Sequence, residues 1–191
     1  MNRFHRRYCA SRKWAARVES TLLPWGLKNV DLGTDVLEVG PGLGVTTRVL
    51  AEQVPNLSAL EIDEGFVERL RDQFADKVRV THGDGAAMPF PEDSFSGVVC
   101  FTMLHHVPNP SLQDKLFAEA CRVLRPGGVF AGTDSQPSLR FRLIHLFDTM
   151  TVVDPATLQH RLESAGFTEV KVTHVPGAVR FAARKPEPAA G

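Results

Sequence analysis

Residues 35–45 read Asp35-Val36-Leu37-Glu38-Val39-Gly40-Pro41-Gly42-Leu43-Gly44-Val45. A short, mostly apolar run meets three alternating glycines, and a helical pattern follows over residues 45–53. Strand, bare-backbone turn and helix in that order open a parallel α/β unit, because parallel strands need a crossover between them. In an open parallel sheet the ligand lies beyond the C-terminal strand ends, which is where Gly40, Gly42 and Gly44 fall. Glycines there let the backbone approach a ligand with no Cβ in between.

The spacing excludes two nucleotide loops. A dinucleotide fingerprint needs Gly or Ala at its third position. Counted from Gly40 that position is Val45, and counted from Gly42 it is Thr47. No G-x-x-x-x-G-K-S/T run occurs either.

Outward from this loop the same alternation continues. Strands are predicted over 57–62, 78–82, 97–102 and 129–133. Asp63 caps a helix over 64–74 with Phe66, Val67, Leu70 and Phe74 on one face. Asn109-Pro110 and Asp154-Pro155 each supply a cap and a first-turn proline, for helices running to about 124 and over 156–165. Arg125-Pro126-Gly127-Gly128 breaks the first of these, and Gly166 stops the second. Two last strands, over 169–174 and 178–184, meet at Val175-Pro176-Gly177-Ala178. That turn is too short for a crossover, so the final pair must be antiparallel. The expected fold is a Rossmann-like three-layer α/β sandwich: a seven-stranded, mostly parallel sheet with an antiparallel last-strand hairpin.

The chain has 191 residues, 43% hydrophobic and 23% charged, which suits one soluble globular domain. Net charge is zero, against a sequence-independent polyanion binder. The charge is unevenly spread. Residues 1–34 hold seven basic and two acidic side chains, residues 135–191 seven and five, and residues 35–134 eight and fifteen. The acidic centre suits a cationic small ligand. Cys9, Cys100 and Cys121 lie far apart, with no CxxC and no metal-ligand spacing among the histidines. No apolar run is long enough to span a membrane, and a reducing, cytoplasmic setting is expected. Trp14, Val18, Leu22 and Leu23 form a helical apolar face near the N-terminus.

The run Glu38-Val39-Gly40-Pro41-Gly42-Leu43-Gly44 resembles motif one of the class I S-adenosylmethionine-dependent methyltransferases, of the small-molecule, methyltransferase-domain-11-like type. Leu60-Glu61-Ile62-Asp63 is similar to the family's acid at the end of the second strand. Residues 83–95, from Gly83-Asp84-Gly85-Ala86 through Met88, Phe90 and Phe95, resemble the segment that meets adenine. Met103-Leu104-His105-His106-Val107 and Leu124-Arg125-Pro126-Gly127-Gly128 resemble the family's turns around the fourth and fifth strands. The likeness covers about residues 35–184. It departs where Ser96, rather than an Asp, follows Phe95.

The resemblance implies S-adenosyl-L-methionine as cofactor, leaving as S-adenosyl-L-homocysteine. It implies that Glu61 accepts from the ribose hydroxyls and Asp84 from the adenine amine, with Ile62, Gly85, Ala86 and Phe101 beside them. Gly40, Gly42 and Gly44 would hold the methionine end, with Glu38 under the loop bonding its amides or the ammonium. Met88, Phe90 and Leu60 are candidates to flank adenine.

Methyl transfer from a sulfonium demands alignment and dryness more than a fixed catalytic signature. A base matters only where the acceptor holds a proton tightly. The base candidates are His105 and His106, after the fourth strand, and Asp134, at the end of the fifth. The expected acceptor is a small molecule, lipophilic ones included. Residues 1–34 and 139–153 are expected to form a partly apolar lid, residues 35–184 the cofactor-binding domain, and residues 185–191 a loose tail. The expected assembly is a monomer or homodimer. An RNA or other nucleic-acid acceptor, or a non-catalytic cofactor-binding module, are the competing possibilities. Nucleic-acid enzymes acting on exocyclic amines carry Asn/Asp-Pro-Pro-aromatic where this chain has Phe101-Thr102-Met103-Leu104-His105-His106.

Overall fold

A computed structural model describes residues 3–137 and 150–188. Strands β1 (Asp35–Val39), β2 (Asn56–Glu61), β3 (Val78–His82), β4 (Phe95–Phe101), β5 (Leu124–Ser135), β6 (Thr168–Val175) and β7 (Ala178–Arg184) form one sheet in the order β3-β2-β1-β4-β5-β7-β6. The first five strands run parallel, and β7 is antiparallel to both β5 and β6. The reversed strand is thus where the short Pro176-Gly177 turn requires it.

The period-two alternation of the strands makes three layers. Leu37, Val39, Val98 and Cys100 face one apolar cluster, which α6 (Pro110–Val123) and α7 (Pro155–Ser164) close with Leu116, Phe117, Leu158 and Leu162. Val36, Leu57, Val99 and Phe101 face a second cluster. There α4 (Val45–Gln53) and α5 (Glu64–Phe74) contribute Leu50, Leu70 and Phe74. The predicted caps are in place. Asp63 accepts from the amide of Phe66, Asn109 from Leu112 and Asp154 from Ala156.

Three expectations need correction. The fifth strand begins at Leu124, not Val129, because Leu124 already pairs with Phe95 across a register shift. Arg125-Pro126-Gly127-Gly128 therefore ends the helix but lies inside the strand. Met88 belongs to the first cluster and Phe90 packs on it, edge-to-face on Phe95 at 5.1 Å. Met88 is buried in the core and Phe90 half-buried against it, so packing on the sheet holds both side chains.

Ahead of the sheet lie α1 (Arg3–Cys9), α2 (Arg12–Arg17), a π-helical turn (Val18–Leu22) and α3 (Leu23–Gly26). The amide of Leu23 donates to the Val18 carbonyl, five residues back. That wider turn puts Val18 and Leu23 on the same side, and both are buried in the second cluster, with Trp14 and Leu22 half-buried against it. The predicted apolar face therefore forms on a locally unwound helix.

Candidate active site

The loop after β1 is held from below and from the side. The amide of Gly40 donates to the Leu60 carbonyl at 2.9 Å, and that of Gly42 to Glu61 Oε2 at 2.9 Å. Gly42 has φ +55°, and a Cβ added there would meet nothing within 4 Å. Its face is open to a cavity of about 890 Å3. Gly44 has φ +72°, and a Cβ there would come within 2.8 Å of Leu70 and Phe74. One glycine keeps room for a ligand, and the other lets α4 pack on α5.

Glu61 ends β2 and is buried. Its Oε1 accepts the amides of Ile62 at 2.9 Å and Asp63 at 3.0 Å, while Oε2 accepts Gly42. Three backbone donors fix a carboxylate at the cavity edge. Ile62 beside it is 64% exposed, an unusual state for a large apolar side chain. Beyond β3, Asp84 Oδ1 accepts the Ala86 amide at 2.8 Å, which holds Gly85 and Ala86 against the same cavity.

Glu38 and Gly44 lie outside the cavity lining, whereas Gly40, Gly42, Glu61, Ile62, Asp84, Gly85, Ala86, Phe101, His105 and His106 all belong to it. Glu38 is buried beneath the loop and accepts from the Thr46 hydroxyl of α4 rather than from a loop amide. Its Oε2 has no hydrogen-bond partner among the described residues. Burial pushes this carboxyl up to about 7, against the opposing pull of the Thr46 hydrogen bond.

The wall opposite β2 and β3 is built from the tips of β4 and β5. Asp134 is buried, and its carboxylate takes His105 Nδ1 at 2.5 Å, the His105 amide at 2.8 Å and the Ser135 amide at 2.7 Å. The rings of His105 and His106 lie 4.2 Å apart. Thr133 also lines this wall, its buried Oγ1 without a partner among the described residues.

The N-terminal helices supply a third, aromatic wall. Tyr8, Trp14 and Trp25 line the cavity, the first two with ring centroids 5.5 Å apart. Arg180 fixes Trp25, donating to its carbonyl at 2.7 Å. Cys9 lines the same wall, and burial pushes its thiol up to about 11, so it is no thiolate at neutral pH. The β6–β7 turn, from Val175 to Ala178, closes the far side. Trp25, Thr133 and this turn carry no motif that would mark them in the sequence. Of the second predicted lid segment, residues 139–149 lie outside the described residues. At its end Val153 is buried, and the Thr151 amide donates to the His105 carbonyl at 2.8 Å.

The cofactor fits this donor set. The open face of Gly42 and the two carboxylates, Glu61 and Asp84, at the neighbouring strand tips suit a polar nucleoside joined to a cationic amino-acid end. Among the described residues, no group of three or more His, Cys, Asp or Glu side chains could hold a metal ion, and no helix is long and apolar enough to cross a membrane.

A sheet in the order 3-2-1-4-5-7-6, with a glycine loop at the first tip and acids at the second and third, defines the Rossmann-like methyltransferase class. The family model for the methyltransferase domain matches residues 37–132, and the chain belongs to that family, the class I S-adenosylmethionine-dependent methyltransferases. The chain is similar to a Mycolicibacterium smegmatis protein named "Probable S-adenosylmethionine-dependent methyltransferase", at 34% identity over 139 residues, covering 71% of this chain and 52% of that one. It is 47% identical over 60 residues to the ribosomal RNA small subunit methyltransferase A of Cupriavidus pinatubonensis, covering 31% and 22% of the two chains. It thus spans about half, or less, of the length of these curated relatives. In fold it resembles a Pyrococcus horikoshii protein, with a TM-score of 0.79, 17% identity and coverage of 93% and 94%.

Proposed function

We propose that this chain transfers a methyl group from S-adenosyl-L-methionine to a small acceptor, lipophilic acceptors included. The observation that carries this is the single cavity in which the Glu61 and Asp84 carboxylates, the open Gly42 face and an aromatic wall meet. Glu61 holds the ribose hydroxyls. Asp84 holds the adenine amine, with Gly85 and Ala86 alongside and Ile62 and Phe101 flanking. Gly40 and Gly42 carry the methionine end, with Glu38 and Gly44 shaping the loop beneath it. The cofactor supplies an electrophilic methyl group on a good leaving group. The chain's own residues align the acceptor, keep water out and, through His105 or His106, remove a proton where the acceptor carries one.

A volume of about 890 Å3 lies within the range of ~300–1,000 Å3 typical of small-molecule sites, and the Tyr8, Trp14 and Trp25 wall favours an apolar body. A reducing cytoplasmic setting and a monomer or homodimer complete this proposal. Calorimetry with S-adenosylmethionine, S-adenosylhomocysteine and NAD tests the cofactor, with binding of the first two expected. Release of S-adenosylhomocysteine over a small-molecule extract tests the acceptor. Salt-sensitive RNA retention with methyl incorporation into RNA would replace the small acceptor by a nucleic acid. Tight cofactor binding without release over either would leave a binding module.

A further inference from the structure

Gln136 directly follows β5, and its amide donates to the Gly177 carbonyl at 3.0 Å, which carries the β5–β7 ladder one residue further. Period two then places it on the same face as Asp134. The residue is 8% exposed and lines the cavity. A carboxamide has a donor end and an acceptor end. Here Nε2 donates to the Val153 carbonyl at 3.0 Å. A carbonyl only accepts, so this bond decides which end of the amide faces Val153 and leaves Oε1 on the other side. Among the described residues nothing donates to Oε1, and, unlike the Thr133 hydroxyl oxygen, it is not sealed off from open space. Bracing Val153 uses the donor end alone. What remains is a fixed, largely desolvated acceptor oxygen at the edge of a cavity.

We propose that Gln136 selects the methyl acceptor: Oε1 takes a hydrogen bond from a hydroxyl or N–H of that molecule, whose apolar body lies along the Trp14 and Trp25 wall of the same cavity. The acceptor is then a neutral or cationic hydrogen-bond donor on an apolar frame. A carboxylate is turned away from this end, because it has no proton to give and would meet Asp134 two residues earlier on the same face. This deepens the small-acceptor reading above and rests on it. A molecule without the donor leaves Oε1 unpaired in a site that it has itself dried, and an unmade bond of that kind costs more than the bond contributes in water. Gln136 therefore acts on which molecule binds, and the transfer of the methyl group asks nothing of it.

Trp14 and Trp25 are the two tryptophans of the chain and both line the cavity, so indole emission reports its occupancy. The full chain, with and without S-adenosylhomocysteine, is titrated with two matched pairs: para-butylphenol against para-butylanisole, and n-octanol against its methyl ether. The wild type is expected to bind each hydroxyl compound about ten- to a hundredfold more tightly than its ether. Gln136→Met keeps the length of the side chain and removes the acceptor oxygen, so the hydroxyl preference is expected to vanish with ether affinity unchanged. Gln136→Asn draws the oxygen back by one methylene and gives the same readout where the first substitution disturbs folding. A residue that only braces Val153 would lower the melting temperature of the variants and weaken both members of each pair alike. Equal affinity for alcohol and ether in the wild type, binding of neither, or a preference that survives in the folded variants overturns the selection by Gln136. Failure to bind S-adenosylhomocysteine overturns the methyltransferase reading instead, and the titration of the ligand-free chain still decides the hydroxyl preference.

Discussion

Glu61 Oε2 accepts the amide of Gly42 at 2.9 Å, so the tip of β2 holds the middle of the loop that follows β1. The same carboxylate takes two further amides on its other oxygen. Glu61→Gln replaces one acceptor oxygen by an N–H2 that faces amide donors. Hydrogen bonds to a charged group contribute about 1.5–3 kcal/mol. S-adenosylhomocysteine affinity measured by calorimetry is therefore expected to fall by roughly ten- to a hundredfold. A modest drop in melting temperature should accompany it as the loop loses its clamp.

Two glycines of this loop separate ligand space from packing. Gly42→Ala places a methyl group in open cavity, so its stability cost is that of a left-handed φ alone, about 1 kcal/mol, while cofactor affinity drops more. Gly44→Ala drives a methyl group into Leu70 and Phe74 at 2.8 Å. Overpacking of this kind costs about 1–3 kcal/mol. Paired urea titrations and calorimetry should show the first variant losing mainly affinity and the second mainly stability.

The topology was legible because local chemistry and global fold agree. Asp63, Asn109 and Asp154 cap the helices their spacing predicts, and the Val175–Ala178 turn is short enough to force the reversed strand. The acids and glycines around the cavity were legible because each sits at a strand tip. What pairs across the sheet was not. His105 and Asp134 were separate candidates, 29 residues apart, and only the β4–β5 register brings them together. Met88 and Phe90 carry the same apolar signal whether they face ligand or core, so periodicity could not sort them. The π turn at Val18–Leu22 has no sequence signature, since its cause is the shared burial of two side chains five residues apart.

Val18 also changes how the N-terminal wall can be tested. It is fully buried, so removing residues 1–20 would strip the second cluster of a side chain worth about 1.5–3 kcal/mol along with Tyr8 and Trp14 of the wall. Removing residues 1–10 takes Tyr8 and Cys9 from the cavity and leaves Val18 in place. The shorter deletion is expected to keep S-adenosylhomocysteine affinity and thermal stability near wild type. Turnover over a small-molecule extract should fall on the order of a hundredfold, because the acceptor loses a positioning surface. Full turnover in the truncated chain would show that α1 is no part of the acceptor site.

Glu38 sets a pH dependence whose sign follows from its burial. An ordinary glutamate releases its proton near 4.5, and burial holds this one to about 7 in the folded chain. Between those values the folded state binds more protons than the unfolded state, so stability falls as pH rises. The contribution is complete below about pH 4.5 and lost by about pH 7. Two and a half pH units at about 1.4 kcal/mol each amount to roughly 3–4 kcal/mol. Glu38→Gln removes the ionisation while its amide oxygen can still accept from Thr46. Urea unfolding of ligand-free protein from pH 4.5 to 8 should show the wild type losing that amount relative to the variant, which becomes the more stable of the two above pH 7. Parallel stability curves for the two proteins would mean that the Glu38 carboxyl ionises normally in the folded state, with water or a counter-ion reaching its orphaned oxygen.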